Sequence, residues 1–475
     1  MDKKNENNKP IKASIGYTVG NYCLKGIGLI TIPIFSRLMT TADFGTYNTF
    51  LAYESILYII MCLALHGSLK NALYRYDKKF SNYVTSIAII PLLMFFLFFM
   101  ISVIFNNRLS KILGINSNIL QLLVIYSYCT GLVIYYQTIL SLDYNFKEYL
   151  KLSFFNVIFS VFISIILMVT VFSERRYIGR VIGGTLSYLI IAIYIWYRMV
   201  KKAYPKYNVD YWKYGLKIGV PLISHGLSQI ILLQFDRIMI NKMIGSSQAG
   251  IYSFAYTIYT LVQITTNSLD TVYSTWVFKK IHENDLDNIR KVATLFTLFI
   301  AGICTGVMLL SPEIIFVLGG SKYKESVICT IPVILGGFFA MAYVIPSVIE
   351  YYYEKTKYIS FGTSIAMVIN VVLNYICIPR YGYVSASYTT LFSYVVYFCI
   401  HIVISKKLCG QYLIKMHYLF ATVFILLVAF ISSFLFLDDF FKRLLILTGL
   451  ITIGFYLITR VYGWKNLKHI LQRKN

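Results

Sequence analysis

The chain has 475 residues, 58% hydrophobic and 13% charged, with a mean hydropathy of +0.66 and a formal net charge of +24. Soluble domains carry about a quarter charged residues, so this chain cannot cover a water-facing surface, and lipid is the solvent for most of it. A backbone crossing lipid must hydrogen-bond to itself, which leaves helices or a closed barrel. The unbroken apolar runs at 87–105 and 420–437 lack the alternation of barrel strands, so helices are expected.

A spanning helix needs about 20 mainly apolar residues, and the chain offers about 14 such segments. The predicted spans are 13–36, 46–66, 83–105, 118–140, 151–172, 178–199, 215–235, 250–272, 291–311, 326–350, 358–378, 383–405, 415–437 and 441–462. The polar, basic start is followed by no compact apolar core with a small-residue cleavage site, so the first segment is read as a retained span. That span carries Thr18, Asn21, Lys25 and Gly28 on one face. Lys25 lies too deep to reach the interface easily, and an ionisable residue at that depth faces a cavity or a partner. Glu54 in the second span is either a cavity residue or the structural counter-ion of Lys25. Arg37, at the end of the first span, is an interface anchor or a cavity residue. Asn156 and Ser160 in the fifth span, and Asn370 and Asn374 in the eleventh, read as interhelical hydrogen-bonding groups.

The seventh span places His225, Gln229 and Asp236 on one stripe, with Arg237 beside it and Lys242 just beyond. The eighth carries Thr260, Gln263, Asn267 and Asp270 on one stripe. His225 is equally a packed or a titrating histidine, and Asp236–Arg237 equally a local ion pair. The eight cysteines are scattered in or beside apolar runs, which excludes a zinc ribbon or a thioredoxin-type motif.

With the N-terminus in the cytoplasm, roughly 30 of the 44 Lys and Arg residues fall inside, as the positive-inside rule requires. This supports an even number of spans with both termini cytoplasmic. It also accounts for the positive charge without a nucleic-acid partner.

Two stretches repeat. At an offset of about 205 residues, Arg37 meets Lys242, Gly45 meets Gly250 and Tyr47 meets Tyr252. Near the same offset, Ser187–Tyr188 meets Ser393–Tyr394. The offset holds an even number of spans, so the halves are parallel repeats about an axis along the membrane normal. The expected organisation is a lobe of helices 1–6 (residues 1–202), a pseudo-symmetric lobe of helices 7–12 (203–409), and two C-terminal helices with a cytoplasmic tail (410–475). Two lobes around a central cavity are a transporter plan.

The stretch PIFSRLMTTADFGTYNTF resembles the helix 1–2 signature of the Wzx-type polysaccharide flippases. Their superfamily also holds the MATE multidrug exporters and the lipid II flippase. Residues 219–256, with Asp236–Arg237 and a Gly-x-Tyr, resemble the helix 7–8 region of the same family. The resemblance implies a carrier of undecaprenyl-pyrophosphate-linked oligosaccharide units across the cytoplasmic membrane, by alternating access of two lobes around a cationic cavity. It also implies that Lys25, Arg37 and Lys242 are its basic residues. The chain departs from the family in having few arginines deep in its spans. No cofactor is expected. The coupling ion stays open between H+ and Na+, and a polysaccharide polymerase and chain-length machinery are the protein partners implied.

Two other classes are weighed. A MATE-like cation exporter needs an acidic cavity; Glu54, Asp236 and Asp270 speak for it and Lys25 against. A membrane polymerase or glycosyltransferase needs a sizeable outer loop with catalytic side chains, and the predicted outer loops are short. The chain contains no Gly-x-x-x-x-Gly-Lys-Ser/Thr phosphate loop.

Overall fold

In a computed structural model of the protein, residues 9–462 are described, apart from the side chains of residues 9–15, 225, 267–269, 271, 272 and 462. All regular structure among them is helical. The chain divides into two compact units, residues 1–250 and 251–475.

The first unit opens with α1 (Lys9–Leu38), a two-residue turn and α2 (Thr41–Met61). The turn is closed by a capping box. The amide of Asp43 donates to Thr40 Oγ1 at 3.0 Å, and the Asp43 carboxylate accepts from the Thr40 amide at 3.3 Å. The amide donors that a helix start leaves open are thereby satisfied, which gives the Thr-Thr-Ala-Asp run a local structural reason. α2 is followed by Leu63 and Ala64, both in the left-handed region at φ 49° and 48°.

The following stretch, expected to begin as a loop with basic residues, is helical. α3 (Leu69–Tyr76), α4 (Phe80–Ile87) and α5 (Ile89–Ile104) form a broken span. α3 buries Leu69 and Ala72 and exposes Lys70, Asn71, Tyr74 and Arg75, the helical spacing of an amphipathic turn. α6 (Asn106–Leu113) stops at Gly114 in the left-handed conformation. α7 (Leu120–Leu142), α8 (Phe146–Thr170), α9 (Arg176–Lys202) and α10 (Val209–Met243) complete the unit. Its core lies among α2, α3, α4, α7 and α9, around Met61, Leu69, Tyr83, Cys129, Leu132 and Ile195.

α11 (Ser246–His282) runs on into the second unit. There follow α12 (Leu286–Leu309), α13 (Ser311–Gly319), α14 (Ser326–Ala342), α15 (Val344–Tyr352), α16 (Thr356–Tyr381), α17 (Ser385–Cys409), α18 (Met416–Leu435) and α19 (Phe440–Tyr462). α14 and α15 form one kinked span, the most buried of the candidate spans. They pack against α17, and α14 also packs against α12 and α18.

Among the described residues, twelve helical segments are long and apolar enough to cross a membrane. The second and eighth predicted spans, α2 and α11, are long enough but more polar, and they occupy equivalent positions in the repeat. Helix ends follow the repeat too. α1 and α10 end at Leu38 and Met243, and α2 and α11 begin at Thr41 and Ser246, each pair at the offset of about 205.

Those two helix starts touch. Thr41 Oγ1 lies 2.7 Å from Ser247 Oγ. A Cβ on Gly45 would overlap the Ser246 carbonyl, and a Cβ on Gly250 would overlap that of Thr41. Ser246 is the repeat equivalent of Thr41, so the contact is reciprocal, as a local two-fold relation requires.

Packing places α10 with the first unit, whereas the repeat groups the seventh span with the second lobe.

Candidate binding cavity residues

α1 is fastened at its two ends and open between them. Gly16 and Gly20 let its N-terminal half lie against Phe146 and Leu150 of α8. There Tyr17 donates to the Leu140 carbonyl at 3.1 Å. At the other end Arg176 of α9 donates to the Leu38 carbonyl, and the Arg180 guanidinium sits 3.8 Å from the centre of the Phe35 ring. Between these anchors, Gly26 and Gly28 have no neighbouring atom within 4 Å, and Val19, Tyr22 and Ile30 are exposed.

Lys25 stands on this open stretch. It is half-buried, with its ammonium 5.8 Å from the Tyr22 ring centre. Among the described residues no carboxylate is in ion-pair contact with it. The counter-ion alternative places Glu54 beside Lys25, and the structure does not. Glu54 is buried in α2 next to Ser55 at 3.5 Å, and its Oε1 has no hydrogen-bond partner.

Arg37 and Lys242, at equivalent positions near the ends of α1 and α10, are both exposed. Asp236 and Arg237 are not at a helix boundary: α10 runs past the expected end of the seventh span, and both are buried within it. Arg237 donates to Gln234. Gln229 is half-buried on the same helix. In the second unit the Gln263 amide donates to Tyr259 Oη at 3.2 Å, and Asp270 accepts from Ser274 Oγ at 2.8 Å. The side chains of His225 and Asn267 lie outside the described residues.

The amide stripes are interhelical bonds. Ser187 of α9 donates to Asn156 Oδ1 at 2.8 Å, and Asn370 of α16 donates to Thr390 of α17 at 2.9 Å. Asn374 donates to Asn370 at 3.1 Å and accepts from Thr389. Such bonds contribute about 0.6 kcal/mol each in membrane helices.

A family model described as "Polysaccharide biosynthesis protein" matches residues 11–273. The chain belongs to the polysaccharide biosynthesis protein family. The match spans both stretches that carried the flippase resemblance. A relative from Haemophilus influenzae, "Lsg locus putative protein 1", is 20% identical over 377 residues, covering 76% of this chain and 90% of that protein.

Two solved structures give the fold of this family member. One is "Lipid II flippase MurJ, inward closed conformation", 16% identical, with a TM-score of 0.77, covering 94% of this chain and 99% of that one. The other is an inward-facing multidrug resistance MATE family transporter of the MOP superfamily, 14% identical, with a TM-score of 0.61, covering 80% of this chain and 98% of that one. The all-α polytopic fold, read from the sequence, is the fold of this superfamily.

Sequence reasoning passed over three groups. Arg180, near the start of the predicted sixth span, bonds Ser160 at 3.3 Å and Ser164 at 3.1 Å of the fifth. Arg443 of α19 is buried and doubly bonded to Glu313 of α13, at 2.6 and 2.9 Å. Glu350 and His401 form a buried pair. The last two join residues far apart in the chain, and no local pattern marks them.

Proposed function

We propose that this multi-pass membrane protein is a transporter, not an enzyme. It moves undecaprenyl-pyrophosphate-linked oligosaccharide units from the inner to the outer leaflet of the cytoplasmic membrane by alternating access. Its termini face the cytoplasm, in keeping with the distribution of Lys and Arg. A pyrophosphate headgroup cannot enter lipid unaided, because its lost hydration must be replaced by fixed cations and hydrogen bonds.

The observation that carries the reading is Lys25, a cation with no counter-ion among the described residues, on a polar stripe, in the stretch of α1 where Gly26 and Gly28 meet no atom within 4 Å. Arg37 and Lys242 place two further exposed cations at repeat-equivalent positions. The energy source in this reading is an H+ or Na+ gradient, and a polysaccharide polymerase with its chain-length machinery takes the product.

The test is flipping of the lipid-linked oligosaccharide in proteoliposomes. Lys25→Ala should abolish flipping while the protein still inserts, and Lys25→Arg should retain part of it, since the charge is kept and the geometry changed. Wild-type protein that exports cationic drugs and leaves the glycolipid in place would contradict the proposal.

A further inference from the structure

The second unit holds an acid–base pair that the reading above does not use. Glu350 of α15 and His401 of α17 are fully buried, with imidazole Nδ1 2.6 Å from carboxylate Oε1. Each keeps a second buried polar atom, Oε2 and Nε2, without a hydrogen-bond partner. Gly362 of α16 makes room for the ring, since a Cβ there would lie 2.7 Å from Nε2.

The surround is aromatic. Tyr397 of α17 stands edge-on with ring centres 4.7 Å apart, and Tyr343, at the junction of α14 and α15, is at 5.5 Å. The other titratable groups in electrostatic reach are Tyr351 of α15 and, through Tyr343 and Tyr351, Asp270 of α11. From α16 come Gly362 and Thr363, the latter bonded to Tyr397 Oη at 3.2 Å. Among the described residues no lysine or arginine side chain is in ion-pair contact with either member of the pair.

A lone buried charge is strongly disfavoured. The pair is neutral only when it holds one proton, as carboxylic acid with imidazole or as carboxylate with imidazolium. Removing the proton strands a carboxylate; adding a second strands an imidazolium. If α15 parts from α17 and water enters, burial no longer forces the pair to keep its one proton, and water can take it up.

We propose that Glu350–His401 is a proton-binding site that latches α15 to α17, holding one proton while closed and releasing it to water when the helices part. The inference stands whatever the cargo is. Its linkage is definite: opening that releases one proton becomes up to about tenfold more favourable per pH unit.

Hydrogen exchange of the intact protein in nanodiscs reads this directly. Exchange of the 344–352 peptide is divided by the intrinsic rate at each pH between 6.5 and 8.5 and compared with the 326–342 peptide of the same molecule. Opening of 344–352 should rise up to tenfold per pH unit while 326–342 stays flat, and the double variant Glu350→Gln/His401→Gln should lose the slope. A flat wild-type profile overturns the proposal, as does a slope that survives in the double variant. Where that variant does not fold, the wild-type comparison of the two peptides decides alone.

Discussion

Substituting Gly45 by alanine tests whether the repeat-equivalent helix starts must touch. The added Cβ would lie 2.6 Å from the Gly250 amide nitrogen and closer still to the Ser246 carbonyl. Both neighbours are backbone at the start of a helix, so neither can rotate away as a side chain would. The starts of α2 and α11 must separate, and the Thr41–Ser247 hydroxyl contact at 2.7 Å parts with them. Overpacking of this kind costs about 1–3 kcal/mol. If it falls on the contact alone, the equilibrium between touching and parted starts shifts roughly 5- to 150-fold. The assay is disulfide formation between Thr41→Cys and Ser247→Cys, with the exposed Cys23 and Cys399 replaced by serine. Gly45→Ala should slow crosslinking by a factor in that range. Gly26→Ala, which meets no atom within 4 Å, should leave it unchanged. Equal crosslinking in Gly45→Ala and its parent would refute the close approach.

Other expectations follow from particular contacts. Arg443→Ala removes the double bond to Glu313 and the donors to the Leu309 and Phe436 carbonyls. Glu313 is 38% exposed, so the loss should fall below the 3–5 kcal/mol of a fully buried pair, at about 2 kcal/mol; thermal unfolding in detergent measures it. In the turn between α11 and α12, the Asn288 side chain, Lys280 and the Asn288 amide hold the Asp285 carboxyl below its usual range. A depressed value means stabilisation that is present above the unfolded value of about 3.9 and lost as pH falls through the folded one. Asp285→Ala should therefore be less stable than wild type at pH 7, with the gap closing at acid pH in melting curves. Lys25→Ala and Glu54→Ala should each impair flipping, and the double variant should not recover, since the structure holds no such pair; full activity in the double variant would contradict both the structure and the role given to Lys25.

The helices were legible because lipid leaves the backbone no alternative. Composition and run length sufficed to place the long segments, including α2 and α11, which are more polar than the rest. Their polarity was legible as well: the stripe through Gln263 and Asp270 sits at helical spacing, and spacing is local. Helix ends were less so. The Asp236–Arg237 step looked like a boundary because charge ended the apolar run, yet α10 continues through it and buries both residues. Once a helix is committed, burying two charged residues within it costs less than breaking the backbone ladder in lipid.

Pairing was the least legible property, for a physical reason. A residue's depth follows from its distance along one helix, but its partner depends on which helix packs there and at what rotation. Lys25 and Glu54 lie in consecutive spans and invited pairing. Instead the buried Glu54 accepts from Ser55 on its own helix, while Lys25 stands on the stretch of α1 where Gly26 and Gly28 meet no atom within 4 Å. The buried pair that does form, Glu350–His401, joins positions 51 residues apart, on helices separated by α16 in the sequence. A cation left without its nearest sequence candidate, and an acid satisfied by a histidine from another span, place the two kinds of chemistry in different units of the protein. Lys25, the proposed anion-binding group, is in the first unit and the proposed proton-holding pair is in the second. A perturbation at Lys25 should therefore leave the pH dependence of α15 opening intact, and one at Glu350 should leave intact the cation on α1 proposed to meet the glycolipid headgroup.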